Sequence, residues 1–441
     1  MKHKLKLAMG YFGLQLLLGI CHVKAQEVKH LSLKQAINLG IANSHLLKSN
    51  KAKIEEAIAI SAEANERKLP DFSVSGSYFY LPIQPNIILK SNSGGNGGDN
   101  PKVNQVFYGI ANVSLPIYTG GKISYAIESA KYLEQAVRLD EEDNRAAVIL
   151  NTINAFSNLY KSKSTVKLVK ENLEQSNKRV KNFSNLEKNG LLARNDLLKA
   201  ELQSSNIELA LLDAESNLKL ANINMALMLG MPEQTILVVD SVSLEQTNSI
   251  KTLDEYEQLA LLERKDIEAL SLRKKVSDIG VKNVKADYYP SLALIAGYVA
   301  ADIPNFLNVT NAVNLGIGIK YNLSSLWKTK SKIAQAQARV QQITASELML
   351  SNQIRLQINQ DYQGYLLSEK KIEVYEKAVE QAAENYRITK NKYDNTLATT
   401  TDLLDADLAE LQTKLNLSNA TVDKVVAYNK LLQTAGILNN N

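Results

Sequence analysis

Cysteine and histidine are scarce in this 441-residue chain, which contains one cysteine and four histidines. Cys21, His3 and His22 lie in an N-terminal segment that we expect to be removed. Only His30 and His45 then remain, which excludes a Cys/His metal site and a thiol nucleophile. No nucleophile and base are spaced as a catalytic pair either. The sequence therefore predicts neither an enzyme nor a bound cofactor or metal.

Aromatic residues make up only 6% of the chain, and there are only eight prolines. Alanine, leucine, asparagine, glutamine, lysine and glutamate are abundant instead. This composition is typical of long helices with polar surfaces and narrow apolar seams, and it does not favour a thick aromatic core.

The first 25 residues have the pattern of an export signal. A basic start up to Lys6 precedes an apolar run, Leu7 to Ile20, that is too short for a membrane anchor. Small residues ending at Ala25 then offer a cleavage site, so we predict a signal peptide over residues 1–25. An uncleaved anchor is the alternative. Acylation of Cys21 is disfavoured because Ile20 stands where lipoprotein signals carry a small residue.

Removing this signal changes the charge of the chain. The formal net charge of the whole sequence is +5. The signal contains four lysines and no acidic residue, so the mature balance falls to +1. The apparent basicity thus belongs to the signal, and a nucleic-acid partner has no support.

A duplicated turn organises the remaining sequence. Residues 196–200 and 402–406 both read Asp-Leu-Leu-x-Ala, 206 positions apart, and each copy lies between two long helical patterns. An asparagine-containing turn followed by an acidic helix start predicts a helical hairpin. We therefore predict a first structural repeat over 26–230, a connecting segment over 231–251 and a second repeat over 252–441.

Each repeat also contains two strand candidates. Pro70 and Pro290 end helical patterns, and alternation of apolar and small residues follows each of them. The second candidate of each repeat covers residues 106–118 and 313–323. Alternation is poor over 106–118, which we predict as a strand mainly because of its counterpart, and it is clearest over 313–323, where Lys320 lies on the polar side. Such alternation is typical of a strand between lipid and water, although a strand of a soluble sandwich has the same pattern.

The helical segments are unusually long. Lys122 to Lys188 contains neither proline nor glycine, and a heptad-like seam of Ile149, Ile153 and Phe156 runs along it. A helix of that length measures about 100 Å. Four strands cannot close a barrel, and narrow seams need neighbouring helices, so several chains must combine.

These features resemble the TolC-type outer-membrane efflux proteins. The resemblance covers nearly all of the mature chain and rests on the duplication, on both Asp-Leu-Leu-x-Ala turns, on Pro70 and Pro290, and on the Leu-Pro-Ile-Tyr-x-Gly-Gly stretch at 115–121. It implies a mainly α fold with a small membrane β part. Long helical hairpins would form a trimeric α-barrel tunnel, continuous with a 12-stranded outer-membrane β-barrel to which each chain gives four strands.

The resemblance also implies a function. A homotrimer in the outer membrane of a Gram-negative bacterium, extending into the periplasm, would be the passive exit duct of a tripartite efflux or type I secretion system. A periplasmic adaptor, or membrane fusion protein, would couple it to an inner-membrane transporter, with outer-membrane lipid around the strands. The alternative is a secreted or surface coiled-coil scaffold or adhesin without a pore.

Carried over to this chain, the family's periplasmic gate falls on the duplicated turns. Its acidic constriction corresponds to Asp402 and Asp405, which lie on one helix face because they are three residues apart. Helix capping is the alternative role for Asp402. Tyr393 and Asp196 match two members of the family's closed-state lock.

Two departures affect that lock. Ala398 stands where the family has an arginine, and Arg194 on the other hairpin is a candidate substitute for it. Thr396 stands where the family has a glycine. We therefore expect a gate held by fewer charge contacts. Tyr118 and Trp327 are the candidate aromatic residues at the membrane interface, with junction packing as the alternative for Trp327.

Overall fold

A computed structural model describes residues 28–83, 85, 102–239, 250–304 and 306–438. The predicted signal peptide with Cys21 lies outside the described residues. So do residues 86–101 of the loop between the first two strand candidates and residues 240–249 of the predicted connecting segment.

The described residues form eight α-helices and six β-strands. In chain order these are β1 (Val28–Leu31), α1 (Leu33–Asn43), α2 (His45–Glu66), β2 (Asp71–Tyr80), β3 (Gln105–Tyr118), α3 (Lys122–Lys188), α4 (Arg194–Met228), β4 (Ile236–Val239), α5 (Leu253–Glu263), α6 (Lys265–Lys285), β5 (Ser291–Ile303), β6 (Leu307–Lys320), α7 (Ser325–Asp394) and α8 (Thr400–Thr434). The mainly helical fold with four longer strands agrees with the prediction.

The chain divides into two compact units. The hairpin unit contains the described residues within Met1–His45, Arg145–Ala260 and Gln357–Asn441. The sheet unit contains those within Leu46–Asn144 and Leu261–Leu356. Each unit therefore draws residues from both predicted repeats, and the predicted repeat boundaries remain a prediction.

In the sheet unit, four antiparallel strands follow the order β2-β3-β5-β6. Because paired residues lie on the same face of a sheet, the strand register shows how the two faces differ. One row across the strands consists of Phe72, Val113, Ala296 and Leu315. The adjacent row on the opposite face consists of Ser73, Asn112, Gly297 and Asn314. These two rows differ in polarity across all four strands, although the second face also contains Ile110, Ile295 and Val299 in other rows.

The apolar face of this sheet is uncovered in the single chain. Val74 is 86% exposed and Leu315 is 76% exposed. On the polar face, Gly297 lies where a Cβ atom would collide with the amide oxygens of Asn112 and Asn314. Side-chain amides therefore occupy the space above this glycine. β6 ends at Lys320, so Tyr321 and Leu323, which we predicted in the strand, lie beyond it.

The helical region before each strand pair is interrupted, which the sequence did not predict. The helical patterns that end at Pro70 and Pro290 predicted one uninterrupted helix before each strand pair. The first is broken at Ser44 and the second at Arg264, whose backbone ψ angles are 117° and 125°. The Arg264 guanidinium bonds Asp266 at 2.6 Å and 3.0 Å, which stabilises the second break. Neither site has a proline or glycine that would signal the interruption.

The hairpin unit has a small parallel sheet at its core. β1 pairs with β4, and the Asn222 side chain holds β4 by bonding the Thr235 carbonyl and the Leu237 amide at 2.7 Å and 2.8 Å. Phe156 and Met225 are fully buried below this sheet. Neither β1 nor β4 was predicted from the sequence.

The long helices agree closely with the sequence. α3 covers Lys122–Lys188, as predicted, and α4 and α8 each contain 35 residues. The predicted seam of Ile149, Ile153 and Phe156 is buried. Among the described residues, no helix combines the length and the apolar character needed to cross a membrane.

Candidate functional site

The two hairpin turns have the same backbone geometry. Gly190 has a φ angle of 72° and Thr396 has a φ angle of 60°. In each turn the next residue, Leu191 or Leu397, donates its N–H to a carbonyl five residues earlier, at 2.8 Å or 2.7 Å. This is the Schellman ending of a helix. A β-branched threonine in this conformation costs on the order of 1–3 kcal/mol, which glycine avoids, so only the second turn is strained.

The helices that follow the turns start differently. α4 has Ala193 at its N-cap without a side-chain bond. α8 has a complete capping box, in which the Thr399 hydroxyl accepts the Asp402 N–H at 3.1 Å. The Asp402 carboxylate accepts the Thr399 N–H at 2.8 Å and its hydroxyl at 2.7 Å. Asp402 is therefore the third helical residue and not the cap itself.

These bonds favour the ionised form of the Asp402 carboxyl. The hydrogen bonds from the Thr399 hydroxyl and then from its amide lower the pKa of the Asp402 carboxyl. Asp405 is exposed as well, and it lies on the same side of α8 as Asp402 because the two are three residues apart. The structure thus presents two adjacent carboxylates to solvent near the second turn.

The predicted lock residues have separate partners in this chain. The Tyr393 ring stacks on Phe183 with the ring centroids 5.5 Å apart. This pair belongs to an apolar cluster beside the turns. Asp196 accepts a hydrogen bond from Lys199 at 3.3 Å. Tyr393 therefore packs the two hairpins together through its ring.

Arg194 lies at the surface of the first hairpin. Its nearest acidic partner is Glu187 on the same hairpin, with the charged atoms 3.9 Å apart. A closer link between the turns comes from Lys199, which donates to the Thr401 hydroxyl at 3.3 Å. Arg194 as a substitute for the arginine missing at Ala398 stays a prediction.

A buried ion pair next to the turns was missed by the sequence reasoning. Arg179 of α3 binds Asp407 of α8 through two nearly parallel contacts of 3.0 Å and 3.1 Å. The side chains are only 9% and 2% exposed. The Asn172 amide lies 3.4 Å from both carboxylate oxygens, and the Tyr386 hydroxyl lies 3.5 Å from the guanidinium.

The surroundings of Arg179 favour its charged form. Burial alone would lower the pKa of Arg179, but the hydrogen bond and the charge of Asp407 outweigh it and raise that pKa. Consecutive helical residues are about 100° apart, so Asp407 points away from Asp405, which is two residues earlier. Three aspartates at the start of α8 therefore divide into two exposed carboxylates and one buried anchor between the hairpins.

The candidate interface aromatics lie in the sheet unit. Tyr118 is in the last position of β3 and is 42% exposed. Trp327 is in the first turn of α7 and is 65% exposed. Both thus stand where a strand gives way to a helix.

Solved structures of outer-membrane proteins resemble this fold. VceC from Vibrio cholerae aligns with a TM-score of 0.75 at 20% identity, over 92% of this chain and 96% of that one. The CmeC outer membrane channel of Campylobacter jejuni gives 0.77 at 18% identity, over 92% and 86%. The open-state MtrE outer membrane channel of Neisseria gonorrhoeae gives 0.72 at 15%, over 92% and 89%.

Sequence comparison identifies the family. Comparison with curated protein sequences gave no significant match. The sequence model of the family described as "Outer membrane efflux protein" matches residues 36–231 and 257–437. These ranges contain the two hairpins with their turns and the four-stranded sheet. The chain therefore belongs to the outer membrane efflux protein family.

Proposed function

We propose that this protein is the outer-membrane exit duct of a tripartite efflux or type I secretion system and works as a passive channel. One observation carries the proposal, namely the four-stranded sheet with an uncovered apolar face and an opposite face that contains the polar row of Ser73, Asn112 and Asn314. Such a sheet suits a wall between lipid and a water-filled lumen. Membership of the outer membrane efflux protein family supports the same placement.

The two outer strands favour a homotrimer. β2 and β6 each pair on one side only within the described chain. Unpaired strand edges are very unfavourable in hydrocarbon, so neighbouring copies must pair with them. Three copies would supply the twelve strands of one closed barrel, with β2 of one copy beside β6 of the next.

The helices of the hairpin unit present exposed apolar rows that favour the same assembly. The row on α4 consists of leucines with intervals of three, four, seven or eight residues: Leu198, Leu202, Leu209, Leu212, Leu220 and Leu227. α7 presents Leu367, Val374 and Ile388, spaced by multiples of seven. Such rows suit knobs-into-holes packing with a neighbouring copy, which would close an α-barrel tunnel.

The remaining parts of the machine would be separate proteins. In this arrangement the duct lies in the outer membrane of a Gram-negative bacterium and its helices extend into the periplasm. A periplasmic adaptor would join the helices to an inner-membrane transporter, which supplies the energy and selects the cargo.

We further propose that the hairpin turns form the periplasmic gate. In a trimer, Asp402 and Asp405 of the three copies would form a ring of six carboxylates around a narrow water path. This carboxylate ring would favour cations there. Asp402 would then serve the ring and the capping box together. Asp196, Tyr393 and Arg194 would contribute to the closed state beside this ring, without an arginine at Ala398.

Removing both exposed carboxylates is expected to reduce the cation preference of the channel. The double variant Asp402→Ala and Asp405→Ala would take six negative charges from the constriction of a trimer. The reversal potential of reconstituted channels in a salt gradient measures the preference, and block by divalent cations should weaken in parallel.

Two control variants separate the ring from other effects. Thr399→Ala breaks the capping box at a cost of about 1 kcal/mol but leaves both charges, so selectivity should persist. Asp213→Ala removes an exposed charge from α4, away from the turns, and should change neither property. An unaltered reversal potential in the double variant would refute the ring.

A further inference from the structure

A basic segment begins where the sheet unit passes from strand to helix. Between Asp302 and Glu347 the sequence contains five basic residues and no acidic residue. Two of them, Lys328 and Lys330, are exposed in the first two turns of α7. At the end of α6, Lys282 and Lys285 are exposed as well. We call these four residues the lysine edge.

The position of Lys328 and Lys330 has no stabilising effect on the helix itself. The N-terminus of a helix carries partial positive charge, so lysines in its first turns are unfavourable. The first turn of α7 contains no acidic residue that would offset them. Stabilisation of the helix therefore does not explain why lysines occupy these positions.

The nearby acidic residue does not neutralise the lysine edge. Asp287 binds Lys122 and also Lys332, the latter at 3.1 Å. These contacts, led by the Lys122 hydrogen bond, lower the pKa of Asp287 and keep it ionised. Its one negative charge is thus shared by two other lysines. Within the described part of the chain, no ion pair involves a member of the lysine edge.

Exposed apolar side chains lie beside these lysines in the sequence and at the same strand ends. Tyr289, Leu326 and Trp327 are each more than half exposed. The apolar face of the sheet reaches the same end at Ile319, which is 72% exposed. An apolar surface ending in aromatic residues and then in lysines matches the passage from lipid tails to headgroups.

We propose that the lysine edge binds the phosphodiester headgroups of anionic phospholipids in the membrane leaflet next to the helices. The inference rests on the proposed membrane placement of the sheet. Its ligand is a phospholipid monoanion such as phosphatidylglycerol, because continuity with the apolar face supplies a place for acyl chains beside the charges. Lysines at such a surface attract anionic lipid over a Debye length.

Trp327 provides a direct test because it is the only tryptophan in the chain. The full mature protein is reconstituted in phosphatidylcholine vesicles that contain an equal mole fraction of either brominated phosphatidylglycerol or brominated phosphatidylcholine. Bromine quenches tryptophan fluorescence on contact. We expect the anionic lipid to quench Trp327 about twice as strongly, and high salt to reduce the difference.

The variants keep the tryptophan and remove charge. Lys328→Gln with Lys330→Gln should make the two lipids quench equally, while Lys390→Gln with Lys392→Gln, at the other end of α7, should retain the preference. The proposal that the lysine edge binds anionic lipid would be overturned by equal quenching in the unaltered protein. A preference for anionic lipid that survives Lys328→Gln with Lys330→Gln would overturn it as well. Absence of quenching by either lipid would instead overturn the membrane placement of this end of the sheet.

Discussion

Asp407→Ala is expected to weaken the packing of α8 against α3 by about 3–5 kcal/mol, because it leaves the buried Arg179 charge without its partner. The pair has two short contacts and almost no solvent access. The free energy of local opening, measured by amide hydrogen exchange along α8 in the folded assembly, reports this change. Exchange near the start of α8 should accelerate most.

A double variant and a matched control make this test specific. Arg179→Met combined with Asp407→Leu replaces both charges by apolar groups, so most of the lost stability should return. Glu410→Ala breaks the solvent-exposed pair with Lys414 on the same helix and should cost less than about 1 kcal/mol. Equal effects of Asp407→Ala and Glu410→Ala would show that the buried pair does not anchor α8.

Val74→Lys is expected to destabilise the membrane-inserted protein by about 2–4 kcal/mol per chain, because the charge would enter hydrocarbon on the apolar face of β2. The adjacent Ser73→Lys places the same side chain on the opposite face, in the row of Asn112 and Asn314. There it should cost no more than about 1 kcal/mol, since a water-filled lumen solvates the ammonium group.

The two variants share a strand and differ only in the face that carries the charge. Denaturant unfolding in lipid vesicles compares their stabilities, and the yield of heat-resistant assembly in outer membranes provides a second readout. If Ser73→Lys proves as harmful as Val74→Lys, the assignment of lipid to the apolar face is wrong.

Much of the fold could be predicted because its signals are local and occur twice. The Asp-Leu-Leu-x-Ala turns, Pro70 and Pro290 mark the same boundaries in both halves of the chain. The length of α3 follows from the absence of proline and glycine over 67 residues. Membership of the outer membrane efflux protein family confirms the prediction of an outer-membrane channel that is not an enzyme. The coiled-coil scaffold without a pore has no support.

The elements that were missed depend on contacts between distant residues. β1 contains only four residues, two of them polar, and becomes a strand by pairing with β4 more than 200 positions later. Arg179 and Asp407 are 228 residues apart, and each is expected by composition alone to be solvated. A buried charge is recognisable only when its partner is known.

The second hairpin turn has the same backbone geometry as the first, although its residues depart from the family pattern. Thr396 keeps the left-handed backbone that glycine has in the first turn, so the geometry persists although the residue differs. The correspondence of Ala398 with an arginine of the family's closed-state lock stays a prediction. The buried pair of Arg179 and Asp407 offers a different electrostatic link between the two hairpins.

The stoichiometry of the detergent-solubilised particle tests the central claim most directly. Each chain has four sheet strands with two edges that are unpaired within the described chain, so a closed channel requires other copies. Native mass spectrometry in mild detergent is expected to give a particle of three mature chains. A stable monomer would contradict the account, since one four-stranded sheet cannot close a channel.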